Sequence, residues 1–140
     1  MITYFDTSTL IKLIIDEDGS DRAEVLWQKA DALASARLIV VEARAALAAA
    51  HHGKRLSSRQ FIAAKASLAV LVEDLHLIEV SKELIDDAVE LAEREALRGY
   101  DAVHLAAALL VGATVLTSAD VALCAAATRQ GLHVANPLLT

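Results

Sequence analysis

From Ala102 to Ala119 the chain carries no formal charge: AVHLAAALLVGATVLTSA. A run that long, close to the ~18 residues that raise the question of a membrane span, has to be buried wherever the chain folds. Its texture changes midway. AVHLAAALLV is helix-forming, Gly112 breaks the pattern, and TVLTS has β-branched character. A buried helix followed by a buried parallel strand accounts for that change, and a membrane helix does not. A parallel strand hidden on both faces needs helices on both sides of its sheet, which commits the rest of the chain to an α/β layout.

The remaining segments fit that layout. ITYF predicts a short buried strand ending at Asp6, and Ser8 to about Ile15 a short helix. DEDGSD reads as a turn, with Gly19-Ser20 as a break and N-cap, and residues 20–30 as helix. ALAS (32–35) predicts a second strand, and residues 37–52 and 58–74 two helices around the loop HGKRLSS. LHLIEV (75–80) predicts a strand, and Ser81 to about Ala96 a helix capped by Ser81. Helix 101–111, strand 114–118, helix 120–130 and a short strand at 132–135 complete the chain. Strands alternating with helices predict a parallel sheet covered on both faces. Ligands of such sheets sit beyond the carboxyl ends of the strands, and that is where chemistry is expected.

The 140 residues suffice for one compact domain with a core. With no low-complexity tract, repeat or linker, and Pro137 as the only proline, a single domain over 1–140 is expected. Hydrophobic residues reach 56%, above the usual ~45–50%. Much of the excess is alanine, which fits close-packed helices and also allows apolar surface buried against a partner. FIAAKASLAVLVE is apolar enough for either role. The lone Cys124 excludes an intramolecular disulfide, points to a reducing compartment and, among apolar neighbours, is expected to fill core. Asp6 precedes any apolar run that could act as a signal peptide, so a cytoplasmic protein without a membrane segment is expected. A net charge of −6 argues against nonspecific coating of nucleic acid. It leaves nucleic-acid chemistry open, because clustered cation-binding acids contribute to it.

Four acids fall where topology can gather them. Asp6 directly follows the first strand, and Asp120 follows TVLTS at a similar edge. Each also precedes a helix and could serve as its N-cap, although Thr7, Ser8 and Ser118 offer caps of their own. Glu42 lies in LIVVEARAALAAA with Leu38, Ile39, Ala45 and Ala46 as helical neighbours. It therefore shares the face that should pack inward, where a carboxylate needs a cation, a donor or a proton; the bland reading is an ion pair to a distant Arg. Asp101 opens a helix that is otherwise apolar apart from His104, either as its N-cap or at a cleft. Clustered carboxylates repel without a cation, and hard oxygen ligands favour Mg²⁺ or Mn²⁺ over zinc. Neither a C-x-x-C nor an H-E-x-x-H pattern is present. His104 is a satisfied core histidine or a group that hydrogen-bonds Asp101 from behind.

The motifs FDTSTLIKLIIDEDGS, VVEARAAL, LRGYDAVHLAAAL and VLTSAD resemble, in order and over essentially the whole chain, PIN-domain ribonucleases of the VapC toxin type. The resemblance implies a three-layer α/β/α sandwich with a central, mainly parallel sheet, and Mg²⁺- or Mn²⁺-dependent endoribonuclease activity. It implies metal ligation by Asp6, Glu42, Asp101 and Asp120, with Ser8 and the pair Thr117 and Ser118 as the accompanying polar groups. It further implies homodimers and a cognate antitoxin protein. In that chemistry a cation lowers the pKa of a water, and the hydroxide attacks phosphorus in line, with Ser8 or Thr117 orienting the water or a phosphate oxygen. Lys12, Lys54, Arg55, Arg59 and Arg98 are candidate contacts to RNA phosphates. Few aromatics favour recognition of a structured RNA by shape over base stacking. Two other readings stay open: an idle PIN-like interaction module, and a phosphotransfer receiver-like domain. The second lacks paired acids after the first strand and a lysine after the last.

Overall fold

The computed structural model describes residues 1–139. Its elements are β1 (Ile2–Phe5), α1 (Thr7–Lys12), α2 (Ser20–Lys29), β2 (Ala32–Ala36), α3 (Ile39–His52), α4 (Ser58–Asp74), β3 (His76–Ile78), α5 (Lys82–Glu95), α6 (Gly99–Leu110), β4 (Val115–Thr117), α7 (Val121–Arg129) and β5 (His133–Ala135). The strands form one sheet in the order β3-β2-β1-β4-β5, and every pairing is parallel.

Alternation along the strands divides the apolar residues between two cores. Tyr4, Ala34, Ala36, Ile78 and Leu116 pack with α5, α6 and α7. Leu33 and Leu77 face the opposite core, built with α1, α3 and α4. Phe5 meets Trp27 of α2 edge-on at 5.2 Å. The result is the expected three-layer α/β/α sandwich with a central parallel sheet. The uncharged run becomes α6 and β4, and every residue from Ala102 to Ala108 is buried. Among the described residues no helix is long and apolar enough to cross a membrane.

Several boundaries differ from expectation for local reasons. LHLIEV yields only His76–Ile78 as strand, because Leu75 caps α4 and Glu79 pairs with Arg37 outside the sheet. The first helix ends at Lys12, and Leu13 to Ile15 close in turns whose amides reach back to Leu10 and Ile11. Gly19, not Ser20, stands at the N-cap of α2, with φ +89°. Ser20 Oγ instead accepts from Glu17 N–H and donates to the Ile15 carbonyl, tying the turn together. Helix α4 buries Ala64 and Leu68 while Ile62 and Val70 stay exposed, so it serves the core along one stripe only. Cys124 is half-buried and donates to the Ser118 carbonyl at 3.3 Å, beside the acidic residues and not deep in the core.

Candidate active site

Strand β1 is central, and its neighbours β2 and β4 lie on opposite sides of it. The crevice of an open parallel sheet is expected beyond the carboxyl ends of strands at such a point. A cleft of about 540 Å³ lies there, and Asp6, Glu42, Asp101 and Asp120 all line it, together with Ser8 and His104. Asp6 ends β1, Glu42 is in the first turn of α3, Asp101 in the first turn of α6, and Asp120 caps α7. The sequence-derived set is thus brought together by three crossovers that return to one sheet edge.

Asp6 and Asp120 both cap their helices, the role the sequence left open beside the neighbouring hydroxyls. Asp6 Oδ1 accepts from Thr9 N–H at 3.1 Å and Asp120 Oδ1 from Leu123 N–H at 2.9 Å. Capping and site roles coexist because a carboxylate has two oxygens. The spare hydroxyls are used on the acids instead. Ser8 Oγ donates to Asp6 Oδ1 at 2.7 Å, and Ser118 Oγ to Asp6 Oδ2 at 2.5 Å. Asp6 is only 5% exposed. Burial pushes its carboxyl up from the ordinary value, opposed by the Ser118 hydrogen bond, the charge of His104 and the bonds from Ser8 and Thr9.

Glu42 sits one position off the fully buried stripe Ile39, Ala43, Leu47, Ala50, so it reaches the cleft wall, half-buried, and not the core centre. Thr7 Oγ1 donates to its Oε1 at 2.8 Å, and His104 Nε2 lies 2.5 Å from the same oxygen. A carboxylate only accepts, so Nε2 is the donor in that bond. His104 Nδ1 meets the Tyr4 hydroxyl at 2.7 Å. His104 is thus the satisfied buried histidine of the two expected readings, and the acid it supports is Glu42 and not Asp101. Half-burial alone would raise the Glu42 carboxyl, but the hydrogen bond and charge of His104, with the Thr7 bond, outweigh it and hold it below the ordinary value.

Asp101 is not a cap. Helix α6 starts two residues earlier, at Gly99, with Arg98 as N-cap. Arg98 reaches back over its own helix start: Nε donates to Asp101 Oδ2 at 3.0 Å and Nη2 to Asp120 Oδ2 at 3.1 Å. Thr117 does not reach the cleft. It is fully buried, and its hydroxyl pairs with that of Thr9 at 3.1 Å. Period-two alternation turns it away from the crevice, and Ser118 supplies the polar contact. Of the candidate phosphate contacts, Lys12, Arg55 and Arg98 line the cleft, while Lys54 and Arg59 do not. Lys12 Nζ is held by Glu17 at 2.7 Å, and Arg55 lies 3.9 Å from the same carboxylate. The sequence offers Thr7 only as a helix cap and singles out neither Tyr4 nor Glu17. Only the DTST run hinted at the first, and nothing local marks the other two.

The donor set fits a divalent cation in kind. It is all hard oxygen, and two of its members already share one positive group, the Arg98 guanidinium. Glu42 Oε2 and Asp101 Oδ1 receive no hydrogen bond among the described residues. The fit is not preformed: among the described residues no three His, Cys, Asp or Glu side chains are already gathered around one point.

An acid-lined cleft at the carboxyl edge of a five-stranded parallel sheet, between two helical layers, places the chain among three-layer α/β proteins. Residues 3–128 match the family described as PIN domain, and the chain belongs to that family. It is 40% identical over 111 residues to Ribonuclease VapC45 of Mycobacterium tuberculosis, covering 79% of this chain and 77% of that one. Several solved structures share the fold, two of them as follows. One is the Mycobacterium tuberculosis toxin VapC20, which cleaves the sarcin–ricin loop (19% identity, TM-score 0.69, 93% of this chain and 95% of that one). The other is a toxin–antitoxin complex from Klebsiella pneumoniae (19% identity, TM-score 0.61, 84% and 86%).

Proposed function

We propose that this chain is a metal-dependent endoribonuclease, the toxin of a toxin–antitoxin pair, acting as one domain over residues 1–140 and as a homodimer in the cytoplasm. The observation that carries the reading is the placement of Asp6, Glu42, Asp101 and Asp120 around one cleft in a chain 40% identical to a ribonuclease. The toxin–antitoxin character of proteins with this fold supports a cognate antitoxin as partner.

Asp6, Asp101 and Glu42 would hold Mg²⁺ or Mn²⁺, with Asp120 completing the set. A cation held there supplies concentrated positive charge that activates water and offsets charge developing on the phosphate. The chain's own groups do the rest. Ser118 and Ser8 fix the Asp6 carboxylate from both oxygens, and His104 and Thr7 fix Glu42. Preorganisation of this kind keeps ligands from having to reorient during the reaction. Lys12, Arg55 and Arg98 give the otherwise acidic cleft its phosphate contacts.

The test is RNA cleavage by purified, partner-free protein in Mg²⁺, Mn²⁺ or EDTA, beside Asp6→Asn. Cleavage is expected only with a cation and is expected to fall at least ~100-fold in the variant. Cation-independent cleavage, or equal cleavage by a folded Asp6→Asn, would remove the reading.

A further inference from the structure

Arg98 joins two acids that belong to different elements. Its Nε takes Asp101 Oδ2 at the start of α6, and its Nη2 takes Asp120 Oδ2 at the cap of α7. Those two oxygens accept no other hydrogen bond among the described residues. Asp101 and Asp120 are 13% and 29% exposed, whereas the arginine side chain that reaches them is 77% exposed. It lines the cleft and, among the described residues, its only hydrogen bonds are those to the two carboxylates.

We infer that Arg98 is an internal competitor for the cation: its guanidinium and a divalent ion hold Asp101 and Asp120 in turn, never together. This inference rests on the reading of the four acids as a cation site. Two positive groups on the same pair of oxygens repel each other, and the lone pairs aimed at the guanidinium are those an ion would use. Exchange is cheap for an arginine so exposed, because its charge returns to water with little change in solvation. The clamp has two effects. It neutralises neighbouring acids while no cation is bound, and it sets the concentration at which a cation displaces it. Once displaced, the guanidinium is left at the cleft mouth, where it is free to meet a phosphate oxygen.

Calorimetric titration of MnCl₂ into the intact chain separates this from a purely structural role. Arg98→Gln is expected to bind Mn²⁺ more tightly than the parent by roughly three- to tenfold, the scale on which exposed ion pairs act. Arg98→Lys keeps the charge but cannot span two carboxylates, and should fall between them. Lys29→Gln removes one positive charge near the opposite, amino-terminal edge of the sheet and should leave the affinity within about twofold. Unchanged or weaker binding by folded Arg98→Gln would overturn the inference while leaving the cation site intact, as would equal tightening by Lys29→Gln. Binding of Mn²⁺ by neither the parent nor Arg98→Gln would overturn the cation site and the inference with it.

Discussion

Asp6 is a buried acid in a fully hydrogen-bonded setting, and its burial still raises its carboxyl above the ordinary value. A carboxyl raised on folding contributes stability that is complete below its unfolded value, near ~4. That stability is lost as pH rises through the folded value. Ionising Asp6 therefore weighs against the cation-free fold. Asp6→Asn should raise the melting temperature of cation-free protein at pH 7.5 and remove the further rise that Mn²⁺ gives the parent. An unchanged response to Mn²⁺ would mean that the ion sits elsewhere. Thr117→Val tests the reassignment of Thr117. It should leave RNA cleavage within about twofold while destabilising by ~1 kcal/mol through the lost bond to Thr9. Cys124 offers a pH-dependent probe. Burial, with the nearby charges of Asp6 and Asp120, pushes its thiol up to about 11. Alkylation by iodoacetamide at pH 8 should run about a hundredfold slower than for an exposed cysteine and accelerate toward pH 11. The acids were legible in the sequence because strand ends and an apolar helical face are local patterns. His104 bonding to Glu42, and Arg98 to Asp120, join residues distant in sequence, and no local pattern encodes such pairs.

Among the elements, the turns are more exacting than the helices they join. Gly19 has φ +89°, and a Cβ there would lie 3.0 Å from the Pro137 carbonyl oxygen and 3.1 Å from Lys12 Cδ. Gly19→Ala should destabilise by about 1–3 kcal/mol in denaturant unfolding. It should also disturb the Lys12–Glu17 pair beneath it. Ala96 ends α5 in the same left-handed region, with φ 53°, and is exposed. Ala96→Gly should stabilise by about 0.5–1 kcal/mol, and a loss of stability would contradict the assigned cap. Helix cores followed from sequence periodicity to within a few residues. Strand ends followed at least as closely, β1 ending where ITYF meets Asp6. LHLIEV overran at both ends, because Leu75 and Val80 extend its apolar texture past the last ladder bond.

For the molecule as a whole, the alternation of strands and helices was enough to predict a parallel sheet covered on both sides. It could not give the order β3-β2-β1-β4-β5, since that depends on which strand is most apolar on both faces and on how the crossovers pack. The centre of the sheet is β1, whose second neighbour is a distant strand. Asp6 is held by Ser118, 112 residues further along the chain. During synthesis from the amino end, the central strand and its acid therefore emerge long before the groups that seat them. Asp101, Ser118 and Asp120 follow only after β1 to β3 and α1 to α5 have been made. A cleft whose lining is divided this way along the chain is completed only when almost the whole of it has been synthesised.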